Sequence, residues 1–292
     1  MRCFFLLVFL FQVCQALAVQ SRVVVITGAS RGVGLASAKY FAGQGLTVYG
    51  TTSHTNKTSV CAKNLHFIPV DLMDEKSIQA AVQTILEREG HIDVLINNAG
   101  YAVVGPTELI TNQEMKNQME INFFAPIRFI QAVLPSMRNR KSGHIINISS
   151  TNAVNTPPFG GMYAASKAAL ESFSESLCIE IQPFNISVSI VQPGLLTTRF
   201  SILMGTKEIP NNPYQTVVDT IKNSLTERSA HPENLTPSQS PQEIAEFLFN
   251  IMQDPHPKLR YQTSEDATID VSKKLLDITG DLYLQAFSEN PK

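Results

Sequence analysis

The run Arg22-Val23-Val24-Val25-Ile26-Thr27 is the feature that most limits what this chain can become. A continuous β-branched stretch suits a strand buried on both faces, and such strands belong to parallel sheets covered by helices on each side. It leads directly into Gly28-Ala29-Ser30-Arg31-Gly32-Val33-Gly34, and Gly32 to Gln44 then carries apolar residues at helical spacing. Strand, glycine turn and helix in that order make the first half of a βαβ unit.

The alternation continues. Thr47–Thr52 and His66–Val70 read as strands, Asp74–Glu89 as a helix N-capped by Asp74, and His91–Ile96 as a buried strand. Glu114–Arg138 has a helical pattern with a break near Pro126. Gly143–Ser149 reads as a strand, Gly161–Ile181 as a helix and Asn185–Val191 as a strand. This order predicts an α/β fold, a Rossmann-type doubly wound parallel sheet with the strand C-terminal ends along one ligand-binding edge. With no repeat or linker in sight, residues 21–292 read as one domain, and 292 residues at 43% hydrophobic supply its core. A helix over Ser240–Met252 begins a C-terminal extension, and residues 195–230 are expected to form a helical substrate lid.

Three glycines between strand and helix let a backbone turn tightly and approach a pyrophosphate, which the helix N-terminus stabilises. The spacing is Gly-x-x-x-Gly-x-Gly. An NAD site normally adds an acid about 20 residues on, for the ribose 2′-hydroxyl. No Asp or Glu occurs between Met1 and Val70, the second strand ends in Thr51-Thr52-Ser53-His54, and Arg31 lies in the glycine loop. A 2′-phosphate needs hydroxyl or guanidinium donors and is repelled by a carboxylate, so the sequence favours NADP(H) over NAD(H).

Tyr163 and Lys167 stand four residues apart in the helix Gly161–Ile181, and therefore on one face. A cation beside a phenol favours the phenolate and brings a poor acid toward the working range. The spacing alone also describes an ordinary exposed helix face. The rest of the chain, beginning with the glycine turn upstream, has to separate the two readings.

These residues together resemble the short-chain dehydrogenase/reductase family. The matching elements are Thr27–Gly34, Asp71, Asn97-Asn98-Ala99-Gly100, Asn122, Ser149-Ser150, Tyr163 with Lys167, and Pro193-Gly194 followed by Thr198. The stretch Pro255–Tyr261 and the helix before it resemble the branch containing 17β-hydroxysteroid dehydrogenase type 1 and photoreceptor retinol dehydrogenase. The resemblance implies Asn122, Ser150, Tyr163 and Lys167 as the catalytic set. Tyr163 would exchange a proton with the substrate oxygen, Ser150 would donate a second hydrogen bond to it, and Asn122 would hold a relay water. For the cofactor it implies Gly28, Ser30, Arg31, Gly32, Val33 and Gly34 at the phosphates, Ser53 at the 2′-phosphate and Asp71 with Leu72 at the adenine. Asn97, Asn98, Ala99 and Gly100 would line the adenosine-ribose side. Lys167 would meet the nicotinamide ribose, beside Tyr163, with Pro193, Gly194 and Thr198 at the nicotinamide. No metal is implied.

The expected activity is NADP(H)-dependent interconversion of a hydrophobic ketone or aldehyde and its alcohol, steroid-like or retinoid-like. An acyl-chain ketoreductase is the alternative, and a non-catalytic NADP-binding sensor is disfavoured by the complete catalytic set. The apolar residues of 195–213, among them Phe200, Ile202, Leu203 and Met204, suit a hydrophobic substrate. The family also implies a homodimer or homotetramer. A net charge of −2 leaves no electrostatic footprint for nucleic acid.

Residues 1–20 carry an apolar run of about 16 residues, short of the roughly 20 that span a bilayer. With Ala16-Leu17-Ala18 at its end it reads as a cleaved signal or a membrane anchor. Arg2 before it and Arg22 and Arg31 after it leave orientation open. A secretory route would expose the sequons at Asn56 and Asn234, whereas Asn147 lies in a central strand; a cytosol-facing anchor would give access to NADPH. Of four cysteines, Cys3 and Cys14 sit in this run, leaving Cys61 and Cys178 and no disulfide framework.

Overall fold

The computed structural model describes residues 22–53, 63–198, 200–230 and 238–276. The apolar leader and the sequons at Asn56 and Asn234 lie outside the described residues.

Strand β1 (Val23–Ile26) occupies the centre of the molecule, with all four side chains buried. Helix α1 (Gly32–Gly43), β2 (Thr47–Thr52), β3 (Leu65–Pro69), α2 (Glu75–Glu89) and β4 (Val94–Asn97) follow. Then come a short strand β5 (Ala102–Val104), α3 (Asn112–Met119), a π-turn (Glu120–Phe124) and α4 (Ala125–Arg140). The second half runs β6 (Gly143–Ile148), α5 (Gly161–Ile181), β7 (Ile186–Gln192), β8 (Ile202–Met204), α6 (Gln215–Ala230), α7 (Pro241–Gln253), β9 (Arg260–Gln262) and α8 (Glu265–Leu276). The main sheet has seven strands in the order β3-β2-β1-β4-β6-β7-β9, and every neighbouring pair is parallel. The doubly wound sheet expected from the sequence is thus present.

Alternation along β1 sends its side chains to two cores. Val23 and Val25 join a cluster with Ile78, Val82 and Ile85 of α2, Phe129 and Val133 of α4, and Leu177 of α5. Val24 and Ile26 join the opposite cluster with Phe41 of α1 and Ile244 and Leu248 of α7. Fully burying each such side chain is worth about 1.5–3 kcal/mol, which explains the unbroken apolar run. Local signals set the helix ends. Asp74 accepts from Lys76 N at α2, and Gly90 closes that helix with φ 77°. Thr111 with Glu114 and Ser240 with Glu243 form capping boxes at α3 and α7.

Four features refine or depart from the sequence expectation. The break in the long helical pattern is the π-turn before Pro126, with Asn122 inside it. The segment after residue 195 begins not as a helix but as β8, paired in parallel with β5 in a second, two-stranded sheet; helix starts at Gln215. Strands β5, β8 and β9 have three residues each, too short for a periodicity to show, and β9 is only half-buried. Helix α8 was likewise not expected.

One buried polar pair ties this sheet to pH. His144 on β6 is 8% exposed, with Nε2 2.9 Å from Ser189 Oγ on β7. Burial, assisted by the Arg22 cation, pushes the imidazole down from its ordinary 6.5 to about 4. The unfolded chain therefore takes up this proton first as pH falls. Stability from the neutral ring is complete above about pH 6.5 and is lost progressively toward pH 4. Replacing His144→Leu should flatten the loss between pH 7 and 4.5 by about 2 kcal/mol, measured by urea denaturation at both values.

Candidate active site

The strand ends are stitched together along the C-terminal edge of the sheet. Thr27, just past β1 and 3% exposed, accepts at Oγ1 from the backbone N–H groups of Asn98 and Ala99, each at 3.0 Å. Its carbonyl accepts from Asn98 Nδ2 at 2.8 Å. Gly28 N donates to Thr51 Oγ1 at 3.2 Å and Ala29 N to Thr51 O at 2.8 Å, which joins the turn to β2. The turn requires glycine twice. Gly28 has φ +67°, and a Cβ there would meet Ala99 Cα at 2.9 Å. A Cβ on Gly34 would stand 2.5 Å from both Asn98 Nδ2 and Gly28 O. Arg31 N-caps α1 in extended conformation with no side-chain cap, so the first-turn amides keep their donor capacity for an anion.

A cavity of about 960 Å³ lies over this edge. On the β2–β3 side its wall holds Gly28, Ser30, Arg31, Gly32, Val33, Ser53, Asp71 and Leu72; Asn98, Ala99 and Gly100 follow at β4. On the β6–β7 side it holds Ser150, Tyr163, Lys167, Pro193, Gly194 and Thr198. Of the predicted site residues, Gly34 and Asn122 stand behind the wall. Asn97 is off it too: residues alternate across a strand, so Asn97 points into the sheet, where its Nδ2 donates to Asn147 Oδ1 at 2.9 Å. Asp71 reaches the wall while its Oδ1 accepts from Met73 N at 2.9 Å, an ordinary turn bond. Arg31 donates to Ser201 Oγ across the mouth and so links the glycine loop to the chain before β8.

The catalytic candidates converge from three elements. Lys167 on α5 is 4% exposed, its Nζ donates to Ile148 O at 2.8 Å and lies 5.9 Å from the centroid of the Tyr163 ring. Burial pushes this ammonium down to about 8, against the pull of Glu171 one turn on. Asn122 is fully buried in the π-turn. Its Nδ2 donates to Tyr101 O at 2.9 Å and Ser166 Oγ at 3.0 Å, and its Oδ1 accepts from Tyr101 N at 3.1 Å. A Cβ on Gly100 would lie 3.2 Å from Asn122 Oδ1 and 3.5 Å from Lys167 Nζ, so a side chain here would press on the Asn122 carboxamide. Neighbouring serines divide their work. Both border the cavity, but Ser149 Oγ donates to Glu171 Oε1 at 2.5 Å, whereas Ser150 Oγ accepts from Asn152 N at 3.2 Å.

The substrate side is closed by the segment before α6. Phe200 meets the Tyr163 ring edge-on at 5.8 Å between centroids. Ala102 N donates to Ser201 O at 2.9 Å, and Gly205 N to Val104 O at 3.0 Å. Tyr101, Asn152 and Asp270 also reach the wall. Nothing local in the sequence marks Asp270, because its helix α8 is brought over the site only by the pairing of β9 with β7.

The sequence pattern described as short chain dehydrogenase matches residues 22–208. The chain belongs to the short-chain dehydrogenase family, a family of oxidoreductases. This dehydrogenase is 33% identical over 279 residues to retinol dehydrogenase 8 of Bos taurus, covering 90% of this chain and 88% of that protein. It is 31% identical over 281 residues to 17-beta-hydroxysteroid dehydrogenase type 1 of Homo sapiens, covering 90% and 84%. Against 3-ketodihydrosphingosine reductase of Bacteroides thetaiotaomicron the identity is 43% over 182 residues, 62% of this chain and 66% of that protein. Among solved structures, a short-chain dehydrogenase from Streptomyces avermitilis superposes with a TM-score of 0.78 at 29% identity, covering 94% of this chain and all of that one. A metagenomic short-chain oxidoreductase solved in complex with NADP has a TM-score of 0.65 at 27% identity, covering 82% and 96%.

Because the dehydrogenase has no room for a methyl group at Gly34, Gly34→Ala should destabilise it by about 1–3 kcal/mol in chemical denaturation.

Proposed function

We propose that this dehydrogenase interconverts a hydrophobic ketone or aldehyde and its alcohol, steroid-like or retinoid-like, with NADP(H) as redox partner. One observation carries the reading: Ser150, Tyr163 and the buried Lys167 share a cavity with a glycine cradle that contains Arg31, and no carboxylate occurs between Gly28 and Ser53. That cradle fits a dinucleotide. Gly28, Ser30, Gly32 and Val33 would hold the pyrophosphate, supported from behind by Gly34. Ser53 and Arg31 would take the 2′-phosphate, and a guanidinium has five donors, enough to keep Ser201 as well. Asp71 and Leu72 would bound the adenine, Asn98, Ala99 and Gly100 the ribose, and Pro193, Gly194 and Thr198 the nicotinamide. The metagenomic relative solved with NADP supports the same choice. When bound, NADP(H) supplies or accepts the hydride.

The chain's own residues handle the proton. Tyr163 passes it between its phenol oxygen and the substrate oxygen. The dry ammonium of Lys167 favours negative charge on that phenol as the proton leaves. Ser150 donates a hydrogen bond to the same substrate oxygen and stabilises charge developing there. Asn122 fixes the backbone at Tyr101 and backs Lys167, where the family resemblance implies a relay water. Leu195, Phe200 and Ile202 give the substrate side an apolar lining. The identity to 3-ketodihydrosphingosine reductase favours a second reading, an acyl-chain ketoreductase.

We further propose a homo-oligomer and a membrane association through residues 1–20. Phe124 and Ile179, 44% and 74% exposed on the α4–α5 side, suit a partner subunit. Among the described residues no helix is long and apolar enough to cross a membrane.

NADPH oxidation over a panel of steroid, retinoid, acyl and small aromatic carbonyls should show turnover with at least one hydrophobic class and none with small polar carbonyls. Tyr163→Phe should lower kcat by at least about 100-fold while NADPH binding, followed by fluorescence, is kept. Turnover above a few per cent would sink the mechanism. Ser53→Asp should shift the kcat/KM ratio toward NADH by at least about tenfold, since a carboxylate repels the 2′-phosphate.

A further inference from the structure

Glu171 is 5% exposed, one turn beyond Lys167 on α5, and has no part in the reaction described above. Its Oε1 accepts from Ser149 Oγ at 2.5 Å and from Gln192 Nε2 at 2.9 Å. Its Oε2 accepts from Gln192 Nε2 at 3.0 Å and faces Arg260 Nε at 3.5 Å. Gln192 is held in turn by Gln262, whose Nε2 donates to Gln192 Oε1 at 2.5 Å. A single carboxylate thus ties the helix of Tyr163 and Lys167 to the ends of β6, β7 and β9. A core that needed only packing would be served at least as well by an apolar side chain, because burying a charge is costly.

We propose that Glu171 is a positioning residue that keeps Lys167 charged and holds the Ser149–Ser150 strand end against it. The inference rests on the roles of Tyr163 and Lys167 given above. Two contacts on neighbouring residues carry it: Ile148 O accepts from Lys167 Nζ, and Ser149 Oγ donates to Glu171. Ser149 Oγ is committed to Glu171, and Ser150, next in the chain, borders the cavity beside it. The negative charge also opposes the desolvation that pushes the Lys167 ammonium down. The charged and titratable groups around the pair are few. On α5 they are Tyr163, Lys167 and Glu175; from β9 comes Arg260, paired with both Glu171 and Glu175; β6 and β7 present the neutral Ser149 and Gln192.

The test is the pH profile of kcat/KM in the full chain with NADPH and the best carbonyl of the panel. Glu171→Gln keeps the shape and removes the charge. Its alkaline limb should move to lower pH by about one unit, with KM for NADPH little changed, and Glu171→Asp should restore the limb. A folded Glu171→Gln enzyme whose limb superimposes on that of the unaltered enzyme overturns the proposal. Should Glu171→Gln fail to fold, Arg260→Gln decides: losing the opposing cation should move the limb to higher pH, and an unchanged or lowered limb overturns the proposal. Failure of the underlying reading shows separately, as a Tyr163→Phe enzyme that still turns over.

Discussion

The closure of the sheet edge around Thr27 is the constraint on which the rest of the molecule depends. In a parallel sheet the ladder ends at the last paired residue, and the backbone groups beyond it need other partners. Here one buried hydroxyl takes two of them, Asn98 N and Ala99 N, while Asn98 returns its own amide to Thr27 O. The turn is so close that a side chain at Gly28 or Gly34 would displace it. The cradle, the run Asn98–Gly100 and, through Gly100, the approach of Lys167 and Asn122 all hang on this junction.

A second theme is the use of dry surroundings to tune a cation. Lys167 is almost wholly buried at the cavity wall, with one carbonyl acceptor at 2.8 Å, and its ammonium is pushed down to about 8. A group so poised responds to small changes in nearby charge, which an exposed lysine would not. The buried Asn122 and Gln118 serve the same wall differently. Both carboxamides bond to backbone between Tyr101 and Val103, fixing the chain where it enters the short strand β5. The π-turn sets Asn122 into that position by adding one residue to the helical ladder.

Much of the fold was legible because its strands are buried on both faces. Val23–Ile26 shows this in its uninterrupted apolar character, and the helix starts at Asp74 and Ser240 were read from the chain itself. Strands β5, β8 and β9 were not legible. Their three-residue lengths carry no period, and each exists through a partner far along the chain, as Ala102 pairs with Ile202 and Ile190 with Arg260. The candidate site divides the same way. Helical spacing paired Tyr163 with Lys167 and the family resemblance picked Ser150, but the misplacement of Asn97 reflects an alternation along β4 that ends within one residue of the cavity wall.

The sequence by itself determined the βα cradle, the absence of a carboxylate within it and the pairing of Tyr163 with Lys167, because each is a property of neighbours within a turn or a strand end. The tertiary structure alone decided what surrounds them. It bonded Ser149 to Glu171, tied Arg31 to Ser201, set Phe200 on Tyr163 and carried α8 over the site. Those contacts join residues from about 20 to more than 160 positions apart, and only the burial of the sheet's two faces brings such residues together.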